Sequence, residues 1–207
     1  MMREETKTYD IIRIPGGVSA VDWPSVERAW ITCRPWPQFR RSYPAFAQLV
    51  LWEASLAVHM EAFEPESRAL YTDDNAPVHT DSCLELFLQP DVSYPRYFNF
   101  ELNPNGCMKA AVGEGRVGRA FLPSGAGYRD LFSISSHRGS HMWSVDFRIP
   151  TGLLWDHASG YPQQMRGNFY KCRGDDLQTR HYACWQKIRT PTPDFHQPDF
   201  FGALRIR

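Results

Sequence analysis

No segment of this chain approaches the roughly 18 continuous apolar residues that a membrane-spanning helix needs, so no membrane partner is expected. Neither sign of charge is in excess, because 23 Lys and Arg balance 23 Asp and Glu over 207 residues. Without a net field to draw it onto a polyanion, the protein is not expected to bind nucleic acid. The five cysteines, Cys33, Cys83, Cys107, Cys172 and Cys184, include no C-x-x-C pair, and their odd number leaves at least one outside any intramolecular disulfide scheme. Reduced thiols are therefore expected, with Cys107 and Cys172 read as small buried packing groups rather than nucleophiles. The start, "MMREETKTYD", is charged and has no apolar run behind it. No export signal is read there, which makes the cytoplasm the default compartment, or a secreted location if a signal has been removed.

Nucleotide and metal signatures are also missing. "GEGRVG" has closely spaced glycines but is not G-x-x-x-x-G-K-[ST], and no strand–turn–helix surrounds it, so a loop is expected. His137 and His141 in "HRGSH" are four apart, but Gly139 makes this a turn rather than a helix face, and no metal pair is expected. No internal repeat or linker divides the chain. One domain over residues 1–207 is expected, with 1–44 supplying a strand, a short helix and a Pro-rich loop that complete it.

What the sequence does have is aromatic side chains, 14% of it, set among sixteen prolines. Flat rings in loops suit a sugar-stacking surface, and they suit an all-β core equally. "DIIRIP" reads as a short edge strand, and "DWPSVERAWIT" as one short helix, with Asp22 as cap, Pro24 in the first turn and Val26 and Trp30 at helical spacing. From Ala45 the pattern turns to period two. "FAQLVLWEASLAVHMEAFE" reads as a hairpin around Glu53 to Ser55, with Leu56, Val58, Met60 and Ala62 on one face and His59 and Glu61 on the other. "CLELFLQ" is the next strand, and "YFNFELNPNGCMKAAV" folds back at "NPNG". Further strands are expected at "LFSISS", "MWSVDFRIP", "NFYKC", "HYACWQKI" and "GALRIR". The whole predicts an all-β antiparallel sandwich of the jelly-roll type with one short N-terminal helix.

Within that sandwich an acid, Glu85, sits in an apolar strand. It shares a face with Cys83 and Phe87, away from Leu84, Leu86 and Leu88. Tyr97, Asn99 and Glu101 on the following strand present the same kind of face. Pattern alone leaves open whether this is a solvated sheet surface or a ligand surface, because a carboxylate accepting two hydroxyls is also a plausible use of Glu85. A glycosidase would need two carboxylates about 5 to 9.5 Å apart, and Glu85 and Glu101 on neighbouring strands are the pair that offers itself.

Six segments in order, "VLWEASLAVHMEAFE", "DSCLELFLQPD", "YFNFELNPNG", "MWSVDFRIP", "RGNFYKC" and "PDFHQPDFFGALRI", resemble the family 9 carbohydrate-binding modules, in particular the stand-alone family 9-like branch. The resemblance runs from Ala45 to the C-terminus. It implies a β-sandwich related to DOMON domains, non-catalytic binding of mono- or oligosaccharides, a link to polysaccharide or glycoside catabolism with a glycoside hydrolase acting in trans, and no cofactor beyond a structural calcium that some members carry. By the resemblance, Glu85 falls on the acid that hydrogen-bonds sugar hydroxyls. The two clamp tryptophans are replaced by His79 and Phe195, Tyr170 falls on a polar contact, and Glu101 stands where an arginine partners the acid. Two carboxylates so placed would repel or share a proton. The DOMON relationship also brings a haem-binding alternative with Met and His ligands, but His59 and Met60 are adjacent and face opposite sides of one strand.

Overall fold

A computed structural model of the chain describes residues 5–39, 41–125, 127–155 and 161–207. Its strands are β1 (Thr8–Ile14), β2 (Ala29–Trp30), β3 (Ala45–Trp52), β4 (Ser55–Ala62), β5 (Cys83–Gln89), β6 (Tyr97–Leu102), β7 (Met108–Gly113) and β8 (Ala120–Phe121). They are followed by β9 (Ser135–Arg138), β10 (Trp143–Pro150), β11 (Gln164–Arg173), β12 (His181–Cys184) and β13 (Gly202–Ile206). One layer runs β8-β7-β6-β5-β11-β13-β1, with β12 also on β11; the other runs β1-β3-β4-β10-β9, with β2 on β3. Strand β1 belongs to both, because Thr8–Ile11 pair with β13 and Ile12–Ile14 pair with β3.

Both pairings of β1 are parallel, which corrects the expectation of a purely antiparallel sandwich. It also corrects the reading of "DIIRIP" as an edge strand. Parallel neighbours need a long connection rather than a hairpin, and the strands that flank β1 come from far along the chain. Alternation assigned the remaining hairpins well, since an inward side chain at every second position can satisfy only one register. Leu84, Leu86 and Leu88 of β5, Phe100 of β6 and Phe169 of β11 meet Val58 and Met60 of β4 and Val145 and Phe147 of β10 in the core between the layers.

The expected N-terminal helix does not form. Trp23–Ser25 make a single 3-10 turn, Val26 is already extended, and Ala29–Trp30 pair with β3. The amide of buried Gln48 explains why. Its Nε2 donates to the carbonyls of Trp23 and Val26 at 2.8 and 2.6 Å, occupying acceptors that a continuing helix would use. "LFSISS" is likewise only partly a strand: a one-turn helix α1 (Tyr128–Leu131) ends on its first residue, and β9 begins at Ser135. The "NPNG" turn is as expected, closed by Gly106 N–H to the Asn103 carbonyl at 2.9 Å, with Gly106 at φ 72°.

The outer face of the β5–β6–β11 layer is not solvated. Phe87, Tyr97, Tyr170, Cys83 and Cys172 on that face are roofed by Trp36, Val78, Ile188, Phe195 and Phe201 from long connections, forming a second apolar cluster. Cys83, Cys107, Cys172 and Cys184 are buried thiols. His59 and Met60 lie on opposite faces: Met60 is in the core, while His59 Nδ1 is 2.9 Å from Asp146.

Candidate functional site

A cleft of about 240 Å³ opens in the loop layer over β5 and β6. This is just below the roughly 300 to 1,000 Å³ of pockets that enclose drug-sized molecules. Four of the five sequence-predicted residues line it: His79, Glu85, Glu101 and Phe195. The fifth, Tyr170, does not, and the expectation of a hydroxyl offered to a ligand is corrected. Tyr170 is fully buried beneath the cleft, its hydroxyl donating to the Phe195 carbonyl at 3.1 Å and its ring stacked on Phe195 at 4.1 Å. It supports the aromatic wall from behind.

Sheet register brings the two acids together. Glu85 of β5 is directly opposite Glu101 of β6, and Lys109 of β7 is directly opposite Glu101. Directly opposed residues have Cβ atoms about 5 Å apart. The Lys109 ammonium lies 3.4 Å from Glu101 Oε1, and Asn99 donates to the same oxygen at 2.8 Å. Lys109 thus gives Glu101 a cationic partner. His79, carried on the 3-10 turn Val78–Thr80, places Nδ1 3.9 Å from Glu101 Oε2. That turn is anchored by fully buried Asp81, which accepts from the Leu70 and Tyr71 N–H groups and from Asn103.

Both acids are only 3% exposed. Glu85 accepts from the Cys172 thiol at 3.0 Å and makes no ion pair among the described residues. Burial above all, with Cys172 and Glu101 nearby, holds its carboxyl well above the usual carboxylate range. Glu85 is then neutral and can donate as well as accept a hydrogen bond. Burial also pulls His79 below the ordinary imidazole value, against the opposing pull of Glu101.

Several lining residues escaped the sequence reading. Arg116 and Asp194 form an ion pair at 3.5 Å at the cleft, and His196 hydrogen-bonds the Tyr97 hydroxyl through Nδ1 at 2.9 Å. Burial, with the Arg119 guanidinium nearby, lowers His196 to about 3, so its imidazole is neutral. Lys109 was findable, because counting back from the "NPNG" turn sets it opposite Glu101. Arg116 comes from the "GEGRVG" loop, and no sequence pattern tells where a loop side chain reaches. The cleft as built has an aromatic wall of Phe87, Tyr182 and Phe195 beside fixed donors and acceptors of both charges. Such a surface packs against the apolar face of a small polar molecule and hydrogen-bonds its edge.

The sequence matches the family model described as carbohydrate-binding family 9 over residues 19–206. No curated protein matches it. Among solved structures, one from Bacteroides uniformis, provisionally described as a carbohydrate-binding protein, is similar with a TM-score of 0.82 and 25% identity, covering 98% of this chain and 100% of its own. A family 9 carbohydrate-binding module from Caldicellulosiruptor kristjanssonii in complex with cellotriose superposes with a TM-score of 0.64 at 16% identity, covering 97% of this chain and 94% of its own. Its glucose complex gives 0.62 at 17% identity, with 97% and 96% coverage.

Proposed function

The chain belongs to carbohydrate-binding family 9, and from that premise we propose that its cleft binds a mono- or oligosaccharide without transforming it. The observation that carries this reading is the convergence of Glu85, Glu101, His79 and Phe195 on one small cleft. Phe195 supplies a wall stiffened by Tyr170, and the carboxyl groups with Lys109 supply fixed hydrogen-bonding groups at the ligand's edge. Glucose and cellotriose occupy the Caldicellulosiruptor module, which makes β-glucans the first ligands to try.

A binding role also suits the state of the two acids. Glu101 is engaged by Asn99 and Lys109, and Glu85 by Cys172, in a wall that holds them still. Held groups orient a ligand; a glycosidase would need one of them to take and return a proton beside a positioned water. The partner implied is a glycoside hydrolase acting in trans on the same polysaccharide.

Isothermal titration against glucose, xylose, cellobiose, cellotriose and xylotriose tests the proposal. The expected result is one site whose affinity falls at least tenfold in Lys109→Ala and in Glu101→Gln, with thermal unfolding showing that both variants fold. Heats at the level of dilution across a wide glycan panel would sink it. Release of aryl from aryl-glycosides that is lost in Glu85→Gln and Glu101→Gln would instead establish an enzyme.

A further inference from the structure

At the floor of the proposed ligand cleft lies a group of side chains of which the carbohydrate reading uses only Glu85. Cys83 and Cys172 are directly opposite each other across β5 and β11, and Glu85 is two residues along β5 on the same face. One donor atom from each of Cys83, Glu85 and Cys172 lies within 4.8 Å of the other two, and all three residues are buried. Two thiols and a carboxyl group are thereby desolvated together, and the ammonium groups nearby are engaged elsewhere, that of Lys109 by Glu101 and that of Lys171 by Glu64. Gathered on one face, these three groups can each exchange a proton for a cation, which makes them a preassembled donor set.

We propose that Cys83, Glu85 and Cys172 form a binding site for a thiophilic divalent cation of the zinc type at the floor of the cleft. Thiolate donors select soft or borderline metals over calcium and magnesium, which take oxygen ligands. At Zn–S of about 2.3 Å and Zn–O of about 2.1 Å, tetrahedral ligands stand about 3.6 to 3.8 Å apart. The 3.0 Å between Cys172 Sγ and Glu85 Oε1 and the 4.8 Å limit on the group bracket that separation, so small rotamer changes would close the site. Glu85 and Cys172 also line the cleft, which leaves the fourth position to a water or a cleft ligand. The metal displaces the protons of both thiols and the carboxyl, so binding strengthens as pH rises. The inference shares Glu85 with the carbohydrate reading but stands on the two thiols gathered beside it, and it holds whether or not the cleft takes a sugar.

Cobalt(II) is the probe, because thiolate ligation gives it a near-ultraviolet charge-transfer band that no oxygen site produces. Titration of the full chain, kept reduced with a phosphine, is expected to give that band at one equivalent, and zinc is expected to abolish it by competition. Cys172→Ser should weaken cobalt by more than about a hundredfold, exceeding the 10- to 100-fold typical of residues that only support a ligand. Glu85→Gln, which keeps both thiols and the shape of the site, should weaken it at least tenfold, so a folding failure of the serine variant leaves the proposal testable. Cys33→Ser and Cys107→Ser should leave the band unchanged. A reduced wild type with no charge-transfer band, or a band that survives unchanged in Cys172→Ser, would overturn the proposal.

Discussion

Substituting His181 should change how the stability of this protein responds to acid. The imidazole is 1% exposed, and its neighbours from every side are identifiable. Lys171 donates to Nε2 at 2.9 Å, Nδ1 donates to the Thr179 carbonyl at 2.9 Å, Glu64 lies 3.9 Å away, and Arg173 and the Tyr43 ring stand nearby. The Lys171 ammonium has three donors, and Glu64, His181 and the Cys172 carbonyl take all three, so the histidine nitrogen facing it must be an acceptor. Burial first, and the Lys171 charge second, lower His181 to about 3 from an ordinary 6.5. Because the folded value is the lower one, the unfolded chain binds the proton more tightly. Stability is intact above pH 6.5 and drains away as pH falls toward 3. At pH 5 the loss is 1.5 pH units at 1.36 kcal/mol each, about 2 kcal/mol. Glu85 acts in the opposite sense, since a raised carboxyl value favours the folded state as pH falls, so the total pH slope is not the quantity to read. The difference between wild type and His181→Gln is. Gln can accept from Lys171 through its oxygen and cannot titrate. Urea denaturation at pH 7 and pH 5 should show the variant gaining about 2 kcal/mol relative to wild type at the lower pH, with m-values unchanged. A relative gain below about 0.5 kcal/mol would refute the buried, neutral histidine.

Two further substitutions probe the fold. Lys171→Met removes the cation from Glu64, which is 1% exposed and held below its ordinary value because Lys171 and the Trp143 N–H outweigh the cost of burial. Denaturant unfolding should show a loss of about 3 to 5 kcal/mol, most of it recovered when Glu64→Leu is added. Gly167→Ala places a Cβ 2.7 Å from the Phe87 carbonyl on the neighbouring strand and 2.8 Å from Leu204. Backbone cannot rotate away, so a stability loss of about 1 to 3 kcal/mol is expected in the same assay, and an unchanged midpoint would count against the close approach of β5, β11 and β13.

Much of the sandwich was legible in the sequence because strand alternation is a local code. Leu84, Leu86 and Leu88 had to share one face and Cys83, Glu85 and Phe87 the other, whatever the partner strands were. The "NPNG" turn then set the register of its hairpin, including Glu101 opposite Lys109. Residues 23–30 misled the helix reading because Val26 and Trp30 have helical spacing, while the deciding contact, from Gln48, comes from another strand.

For Glu85 the sequence by itself determined only the face of the sheet, and it left open whether that face meets water. Tertiary structure decided the rest. Long connections roof the outer layer and bury Glu85 to 3%, and the pairing of β11 with β5 brings Cys172 from 87 residues away to within 3.0 Å of it. The long connections also carry Phe195 and His196 over β5 and cover Tyr170 with Phe195. Alternation acts between neighbours two residues apart, whereas the path of a long loop is set by what it can bury at its far end. That is why the sheet could be read from the chain and the cleft could not.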